Sequence, residues 1–245
     1  MIIIKSSLFS RFPEIKFGFS TKTGLDRGEP YYFNMSLSVG DNPDIVKENR
    51  AEFITKLGLE EKNVVFQKQV HGDNISIVEN NNIYPTSDAL ITKKKGIGLA
   101  VSSADCVPIF LYDKKNAVIA AIHSGWRSTE LKILEKTLKK LKEEFNSFEE
   151  NIFAYIAPCI DVKNYEVGEE VAKKFSPESV EIQNKRYFLN LKKENKNMLI
   201  ASGIPEKHIE ISPLCSYEKT DLLHSYRREG IKSGRAIGII AMSEE

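Results

Sequence analysis

The sequence predicts an α+β fold in which mixed β-sheet layers are flanked by helices, formed by a single domain over residues 1–245. Strand-like apolar runs outnumber helical patterns, and several of them follow one another without an intervening helix. This order favours the mixed class over a strict alternation of strand and helix. A chain of 245 residues, 41% of them hydrophobic, is long enough for one large core, and no repeat or linker divides it.

The predicted strands are short apolar runs bounded by polar or turn-forming residues. The clearest pair is 107–112 and 117–123, because only four residues separate the two runs. The remaining predicted strands are 17–20, 74–78, Ala89–Thr92, 98–102, Ile152–Ile156 and Ala236–Met242.

Helical patterns are fewer. One helix is predicted to begin after Asp41, with Pro43 in its first turn, and to end at Lys56 ahead of Gly58. A second is predicted to follow a cap at Ser128 or Thr129, since leucines then recur at three- and four-residue steps. Weaker patterns cover 169–175 and 193–202, the latter ending before Gly203.

Charge and cysteine content limit the function classes. The 35 basic and 34 acidic residues leave a formal net charge of +1, which gives no reason to expect nucleic acid or a membrane surface as a partner. No apolar run approaches the roughly 18 residues of a membrane span. Three cysteines without a Cys-x-x-Cys pair do not suggest a disulfide framework. We therefore expect a cytoplasmic protein, since the reducing cytosol is where a zinc-bound or nucleophilic Cys persists. The chain is also predicted to be a monomer.

Three residues lie in short motifs of small and polar residues. His71 lies in Gln-Val-His-Gly-Asp, Cys106 in Ala-Asp-Cys-Val-Pro, and His123 in His-Ser-Gly-Trp-Arg. The chain has only four His and three Cys, so three of these seven in such motifs indicate a chemical site. Two imidazoles and one thiolate suit a catalytic zinc whose fourth position is open. We predict that these three residues are metal ligands.

Hairpin geometry offers a way to bring two of the ligands together. If Lys114 and Lys115 form a two-residue loop, Cys106 lies directly opposite His123, with Cβ atoms about 4.5–5.5 Å apart. A bulge would shift this register. His71 must then come from a separate segment. Asp105, beside the cysteine, is predicted to orient a ligand imidazole or to act on substrate.

Each of these residues also has a purely structural interpretation. A single His among apolar residues is more often a hydrogen-bonded structural residue, and Cys is among the most buried residue types. Cys159 and Cys215 are accordingly predicted to be small core residues. Trp126 is predicted to pack, and Arg127 then becomes a solvated residue at the start of a helix.

Ordered motifs along nearly the whole chain resemble the YfiH/laccase-domain family, whose members are described as purine nucleoside phosphorylases and also as polyphenol oxidases. The motifs are 19–24 (Phe-Ser-Thr-Lys-Thr-Gly), 39–41 (Val-Gly-Asp), 49–50 (Asn-Arg), 68–72 (Lys-Gln-Val-His-Gly), 87–92 (Ser-Asp-Ala-Leu-Ile-Thr), 104–109 (Ala-Asp-Cys-Val-Pro-Ile), 123–127 (His-Ser-Gly-Trp-Arg), 165–168 (Tyr-Glu-Val-Gly), 215–217 (Cys-Ser-Tyr) and 225–228 (Ser-Tyr-Arg-Arg). The resemblance implies that His71, Cys106 and His123 are zinc ligands. Ser124, Ser128 and Asn190 depart from the usual Ala, Gly and Asp of the family, and none of these changes removes a ligand.

The resemblance implies phosphorolysis of adenosine, inosine, guanosine and S-methyl-5'-thioadenosine, together with deamination of adenosine. The usual deaminase signature is absent, because no second Cys follows Pro158-Cys159 at the required spacing. Asp105 is then the nearest candidate acid or base. Phosphate calls for arginine forks. The candidates for substrate binding are Arg50, Arg127, Arg227 and Ser36.

Three other function classes stay open. A multicopper laccase needs more than four His, but one copper ion in a His-His-Cys site is compatible with the ligand types. Alternatively, Cys106 is a nucleophile activated by His123 that hydrolyses amides in peptidoglycan precursors. A structural metal would need a fourth protein ligand. Its candidates are Cys159, Cys215, His208 and His224.

Overall fold

The computed structural model describes residues 1–81 and 84–244. Its helices are α1 (Pro43–Lys56), α2 (Trp126–Glu130), α3 (Ile133–Phe145), α4 (Glu169–Ala172), α5 (Leu191–Ala201) and α6 (Tyr226–Glu229). Its strands are β1 (Ile3–Ile4), β2 (Ile15–Ser20), β3 (Val64–Val65), β4 (Ile75–Ile77), β5 (Ala89–Thr92), β6 (Gly98–Ser103), β7 (Val107–Asp113), β8 (Val118–Ser124), β9 (Ile152–Ile156), β10 (Glu166–Val167), β11 (Val180–Gln183), β12 (Arg186–Leu189), β13 (Ile209–Ile211) and β14 (Ala236–Met242).

These strands form two large mixed sheets and one small sheet, which confirms the predicted α+β class. The five-stranded sheet has the order β1-β2-β14-β6-β3, and the six-stranded sheet has the order β13-β9-β7-β8-β5-β4. Each large sheet combines antiparallel pairs with parallel ones, such as β3 with β6 and β4 with β5. The small sheet has the order β10-β12-β11. None of the helices in the described residues is long and apolar enough to cross a membrane.

The two large sheets pack face to face. Alternating side chains of each strand point to opposite faces of the sheet. Phe110 of β7 therefore lies in the core shared with β2 and β14. The centroids of the Phe110 and Phe17 rings are 4.9 Å apart. Its neighbour Ile109 lies in a second core that includes residues of α3 and α5. A third core packs α1, through Phe53, against β14. Fully burying one such large side chain stabilises the fold by about 1.5–3 kcal/mol.

The predicted hairpin register is wrong by two residues. Pro108, not Cys106, lies opposite His123, and the last pair is Asp113 with Val118. The loop therefore contains four residues. Its conformation is set by the Asp113 carboxylate, which accepts the backbone N–H groups of Lys115 and Asn116 at 2.9 and 3.2 Å.

The predicted cap at Ser128 or Thr129 is also wrong. The helical region divides into α2 and α3 at Lys132, whose φ of 63° lies in the left-handed region and interrupts the helix. The N-cap of α2 is Gly125. Thr129 instead donates its hydroxyl to the Gly125 carbonyl, 2.8 Å away, from within the helix.

Other elements agree more closely with prediction. The bounds of β5, β9, β14 and α1 are those predicted, and Asn42 caps α1 by accepting the N–H of Asp44. The weaker patterns correspond to α4, which ends earlier at Ala172, and to α5, which begins at Leu191. Asn190 caps α5 through the N–H of Lys193, a role that Asn and Asp both perform. The family departure at this position thus preserves the cap.

Candidate metal centre

Three donor atoms converge at one end of the sheet sandwich. The ligand atoms of His71, Cys106 and His123 all lie within 4.8 Å of one another. The Cys106 Sγ is 3.8 Å from the His71 Nε2, and the two imidazole rings stand nearly perpendicular with centroids 4.7 Å apart. His123 is buried, Cys106 is partly exposed and His71 is exposed. The donor group is therefore exposed to solvent at His71 and in part at Cys106.

Each donor comes from a different part of the chain. His123 belongs to β8, whereas Cys106 lies just before β7 and follows Asp105, whose φ is 100°. His71 lies in the segment before β4 and has a φ of 58°. Non-glycine residues with positive φ are uncommon, and their clustering here marks a backbone constrained by the site. Cys106 thus comes close to His123 through a bend just before β7, and the two residues are not cross-strand partners.

The buried carboxylate of Asp88 organises two of the donors. Its Oδ1 is 2.8 Å from the Nδ1 of His123, which leaves the Nε2 of that ring for a ligand. The same carboxylate accepts the backbone N–H groups of Val70, His71 and Gly72 at 3.2, 3.0 and 2.8 Å. Burial would raise the pKa of Asp88, but these hydrogen bonds outweigh it and lower the pKa. Asp88 is thus an ionised anchor for both histidines.

The sequence reasoning assigned this orienting role to Asp105 and missed Asp88. The structure places Asp105 elsewhere: its carboxylate accepts the Ser216 hydroxyl at 2.6 Å and the Arg227 N–H at 2.7 Å. Asp88 does stand in a quoted motif, directly before β5. Its contacts with His123 and with the backbone of residues 70–72 are tertiary, so its position in the sequence alone gave no signal of metal-site function.

The charges of the site are strongly coupled. Burial would raise the pKa of Cys106, but the imidazoles of His123 and His71 lower it to about 6. Burial would lower the pKa of His123, but the Cys106 sulfur and the Asp88 carboxylate raise it to about 9. At neutral pH the sulfur is therefore a thiolate. This is the form of Cys that binds metals and attacks electrophiles.

Gly125 lets the donors approach one another. A Cβ at this position would lie 3.0 Å from both the Cys106 Sγ and the Cδ2 of His71. Such contacts are tighter than a side chain normally makes, so any larger residue would push on two donors at once. This explains the glycine of the His-Ser-Gly-Trp-Arg motif.

The motif's serines are both buried. Ser124 bonds the Thr129 hydroxyl at 2.8 Å and the Asn195 side chain at 2.9 Å, which ties the end of β8 to α5. The Ser128 hydroxyl is buried without a partner in the described part of the chain. Nothing in the structure explains that substitution.

The donor group forms part of the wall of a cavity of about 760 Å³. Residues on several loops and strands complete the wall, including Ser36, Leu37, Arg50, Phe66, Lys68, Tyr84, Tyr226 and Arg235. The cavity therefore brings together the three predicted ligands and two of the predicted substrate-binding residues, Ser36 and Arg50.

The other predicted site residues do not line this cavity. Arg127 stacks on the ring of Trp126, with its guanidinium carbon 4.2 Å from the ring centroid. Arg227 donates from its side chain to the Glu166 carbonyl at 2.9 Å. Sequence reasoning also missed Arg235, which does line the cavity.

The spare Cys and His residues lie apart from the donor group. Cys159 and Cys215 are buried free thiols, as predicted. His208 stacks on Phe153 with ring centroids 4.0 Å apart, and His224 is 2% exposed. Among residues 1–81 and 84–244, none of these four joins His71, Cys106 and His123 in the potential metal-binding group. The group of candidate metal ligands at this site thus consists of His71, Cys106 and His123.

Comparison with known proteins finds relatives over most of the chain. A family model described as "Multi-copper polyphenol oxidoreductase laccase" matches residues 16–243. A protein of Bacteroides thetaiotaomicron named purine nucleoside phosphorylase is 32% identical over 232 residues, which cover 87% of this chain and 86% of that protein. A protein from an unknown prokaryotic organism, named adenosine deaminase RL5, is 29% identical over 255 residues, covering 96% and 97% of the two chains. The crystal structure of YlmD from Geobacillus stearothermophilus superposes with a TM-score of 0.91 at 28% identity, covering 98% of this chain and 94% of that one.

Proposed function

The chain belongs to the family described as multi-copper polyphenol oxidoreductase laccase. We propose that, within this family, it is a zinc-dependent purine nucleoside phosphorylase that also deaminates adenosine. Its proposed substrates are phosphate with adenosine, inosine, guanosine or S-methyl-5'-thioadenosine. The names of the relatives support this class of reaction. One observation carries the proposal: three metal-type donors and an arginine line the same 760 Å³ cavity. We further propose that the chain acts as one domain, in the cytoplasm and as a monomer.

The donor set fits zinc. Zinc–sulfur and zinc–nitrogen bonds of about 2.3 and 2.0 Å in a tetrahedron separate sulfur and nitrogen by roughly 3.5 Å. The observed separation of 3.8 Å between the Cys106 Sγ and the His71 Nε2 is close to this value. When bound there, zinc would act as a Lewis acid and activate water at neutral pH. The Asp88 carboxylate would keep the His123 ring in the orientation that presents Nε2.

The cavity suits a nucleoside with phosphate. Small-molecule sites measure about 300–1,000 Å³ and combine apolar surface with a few placed polar groups. Phe66, Tyr84 and Tyr226 supply aromatic surface for a purine ring. Ser36 and Arg50 supply a hydroxyl and a guanidinium.

The two reactions make different demands on the chain. In phosphorolysis a phosphate oxygen bonds to the ribose C1', the bond from C1' to the base nitrogen breaks, and the base takes that electron pair and a proton. Arg50 would hold the phosphate, because its Nε is bound to the Met35 carbonyl and its terminal nitrogens have no acceptor in the described part of the chain. In deamination water replaces the amino group at the purine C6 and ammonia leaves. His71, as the exposed donor, would be the first of the three to meet an entering substrate.

Asp105 is assigned a positioning role in this scheme. Its two oxygens accept hydrogen bonds from Ser216 and Arg227, so it holds the bend before Cys106. Its hydrogen-bonded carboxylate is not on the cavity wall.

Metal analysis of the purified protein, with chromatography of adenosine reactions run with and without phosphate, tests the proposal. We expect about one zinc per chain, adenine formed only when phosphate is present, and inosine formed in both reactions. Absence of both products would refute the proposed activities, and inosine alone would leave only deamination.

A second candidate is a cysteine-nucleophile amide hydrolase. It is favoured by the thiolate of Cys106 beside the protonated His123, the pairing that activates nucleophilic cysteines. If metal-free protein hydrolyses peptidoglycan-derived amides and loses this activity on alkylation of one thiol, this candidate replaces the first. A copper-dependent oxidase would instead show a charge-transfer band on copper titration and would oxidise phenols.

A further inference from the structure

Two arginines, Arg50 and Arg235, lie on the cavity wall. Arg50 and Arg235 are both partly buried, and burial lowers the pKa of each guanidinium. Ion pairs within the described residues include neither of them, although Arg27, Arg186 and Arg228 each have one. Burial makes each cation costly unless it is compensated. Carboxylates and the Cys106 thiolate lie near enough to act on these charges, Glu61 on Arg50 and Asp105 and Glu229 on Arg235. Within the described residues, none of them makes a direct ion pair with either guanidinium group.

A short backbone segment holds the two arginines in fixed relation. The Nε of Arg50 donates to the Met35 carbonyl at 2.7 Å, and the Met35 N–H donates to the Arg235 carbonyl at 3.0 Å. The side chain of the fully buried Asn34 accepts the backbone N–H groups of Arg235 and Ser36, both at 2.9 Å. One segment, 34–36, thus places both arginines and the Ser36 hydroxyl.

Aromatic rings and backbone carbonyls orient the guanidinium groups. Arg50 lies over Phe66, with 4.1 Å from its guanidinium carbon to the ring centroid, and Arg235 lies 5.3 Å from the centroid of Tyr226. Arg235 donates one terminal nitrogen to the carbonyls of Ser233 and Gly234. Its Nε and other terminal nitrogen, like both terminal nitrogens of Arg50, have no acceptor among the described residues.

We propose that Arg50 and Arg235 form a two-arginine clamp for a phosphate dianion, with Ser36 beside it. Two planar forks with free donors match the oxygens of phosphate in a bidentate way. The site lies on the same cavity as His71, Cys106 and His123 but uses different residues. This inference rests on the proposed function, because it identifies the binding site of the phosphate co-substrate. The same clamp chemistry would accept the phosphate of a nucleotide, and the experiment separates the two sources.

The test measures phosphate binding calorimetrically and steady-state kinetics with the protein as purified. The variants are Arg235→Gln and Arg50→Gln, with Arg235→Lys to restore charge without the fork. Loss of charge-assisted hydrogen bonds should raise the Kd for phosphate, and the KM for phosphate in phosphorolysis, by about 10- to 100-fold in the Gln variants. Arg235→Lys should recover part of this loss. Arg186→Gln is the matched control, because Arg186 is exposed and paired with Glu166 on the small sheet.

The outcomes distinguish this inference from the proposed function. Adenosine deamination needs no phosphate, so its kcat/KM should fall much less than that of phosphorolysis in Arg235→Gln. An unchanged KM and Kd for phosphate in a folded Arg235→Gln protein would overturn the clamp while leaving the proposed function intact. If the wild-type protein binds phosphate through Arg235 but forms no adenine, the proposed function fails and the clamp stands. If adenosine monophosphate binds more than tenfold more tightly than phosphate, and Arg235→Gln abolishes this preference, the clamp serves a nucleotide instead.

Discussion

The Oδ1 of Asp88 lies 2.8 Å from the Nδ1 of His123, and the same carboxylate accepts the backbone N–H of His71 at 3.0 Å. One side chain therefore orients two of the three candidate metal ligands. Asp88→Asn should lower metal affinity by about 10- to 100-fold, because the amide is a weaker acceptor and no longer fixes the ring. Competition with a coloured chelator would measure the change.

The matched control for this substitution is Asp113→Asn. Asp113 is also a buried aspartate that accepts backbone N–H groups, but it does so in the loop after β7. We expect it to lower stability and to leave metal affinity within about twofold. Equal loss of affinity in the two variants would show that Asp88 acts through general stability alone.

Gly125→Ala should disturb the donor group directly. Its added methyl group would lie 3.0 Å from both the Cys106 Sγ and the His71 ring, so at least one donor has to move. We expect metal affinity to fall at least tenfold, with a smaller effect on thermal unfolding of the metal-free protein. Gly28→Ala is the control, because an added Cβ there meets no atom within 4 Å. Unchanged metal binding in Gly125→Ala would contradict the proposed ligand set.

Removal of the thiolate provides the simplest test of the ligand set. Cys106→Ser should purify with well under half of the wild-type metal content and lose both proposed activities, since a hydroxyl is a poor zinc ligand. Cys159→Ala, in the second core, should retain the metal. Elemental analysis of both proteins decides the matter, and full zinc occupancy of Cys106→Ser would exclude the cysteine as a required ligand.

His224 should make the fold sensitive to acid. This side chain is 2% exposed, neither ring nitrogen has a partner in the described residues, and burial lowers its pKa to about 4. In the unfolded chain His224 binds a proton near pH 6.5, whereas in the folded protein it does so only near pH 4. Its contribution to the free energy of unfolding is therefore complete above pH 6.5 and is lost as the pH falls towards 4. The loss amounts to about 3 kcal/mol.

Urea unfolding at pH 7 and pH 4.5 would measure this contribution. The wild-type protein should lose more stability between the two values than His224→Gln does. His208→Gln should lie between them, because burial also lowers the pKa of the less buried His208 ring. Carboxylates whose pKa values are lowered, such as Asp88 and Glu229, add acid sensitivity to all three proteins. Identical losses in the wild type and His224→Gln would show that the buried ring does not contribute.

Apolar periodicity predicted the long strands and α1 because these elements bury most of their side chains or carry a clear cap. It did not predict β1, β3 or β10–β13, which have two to four residues each and too little pattern to recognise. The predicted register of the hairpin between β7 and β8 was wrong for a specific reason. Its register depends on the side chain of Asp113 bonding to the loop backbone, and strand patterns do not record such contacts.

In the site, too, sequence motifs identified the chemically distinctive residues but did not show which of the other residues pack against them. Unusual residue types in small-residue motifs were enough to single out His71, Cys106 and His123, which the structure brings within 4.8 Å. The arginines were harder to rank. Arg127 and Arg235 are chemically equivalent in sequence, and only packing directs Arg235 towards the cavity and Arg127 onto an indole.

The order of the five-stranded sheet has a consequence for synthesis on the ribosome. Strand β14, the last strand of the described chain, lies between β2 and β6, and Arg235 directly precedes it. When residues 15–103 have emerged, the central place in their sheet is still empty, and pairing across it awaits a segment more than a hundred residues later. Until β14 is present, one edge of β2 and one edge of β6 lack their final partner, and unpaired strand edges promote aggregation.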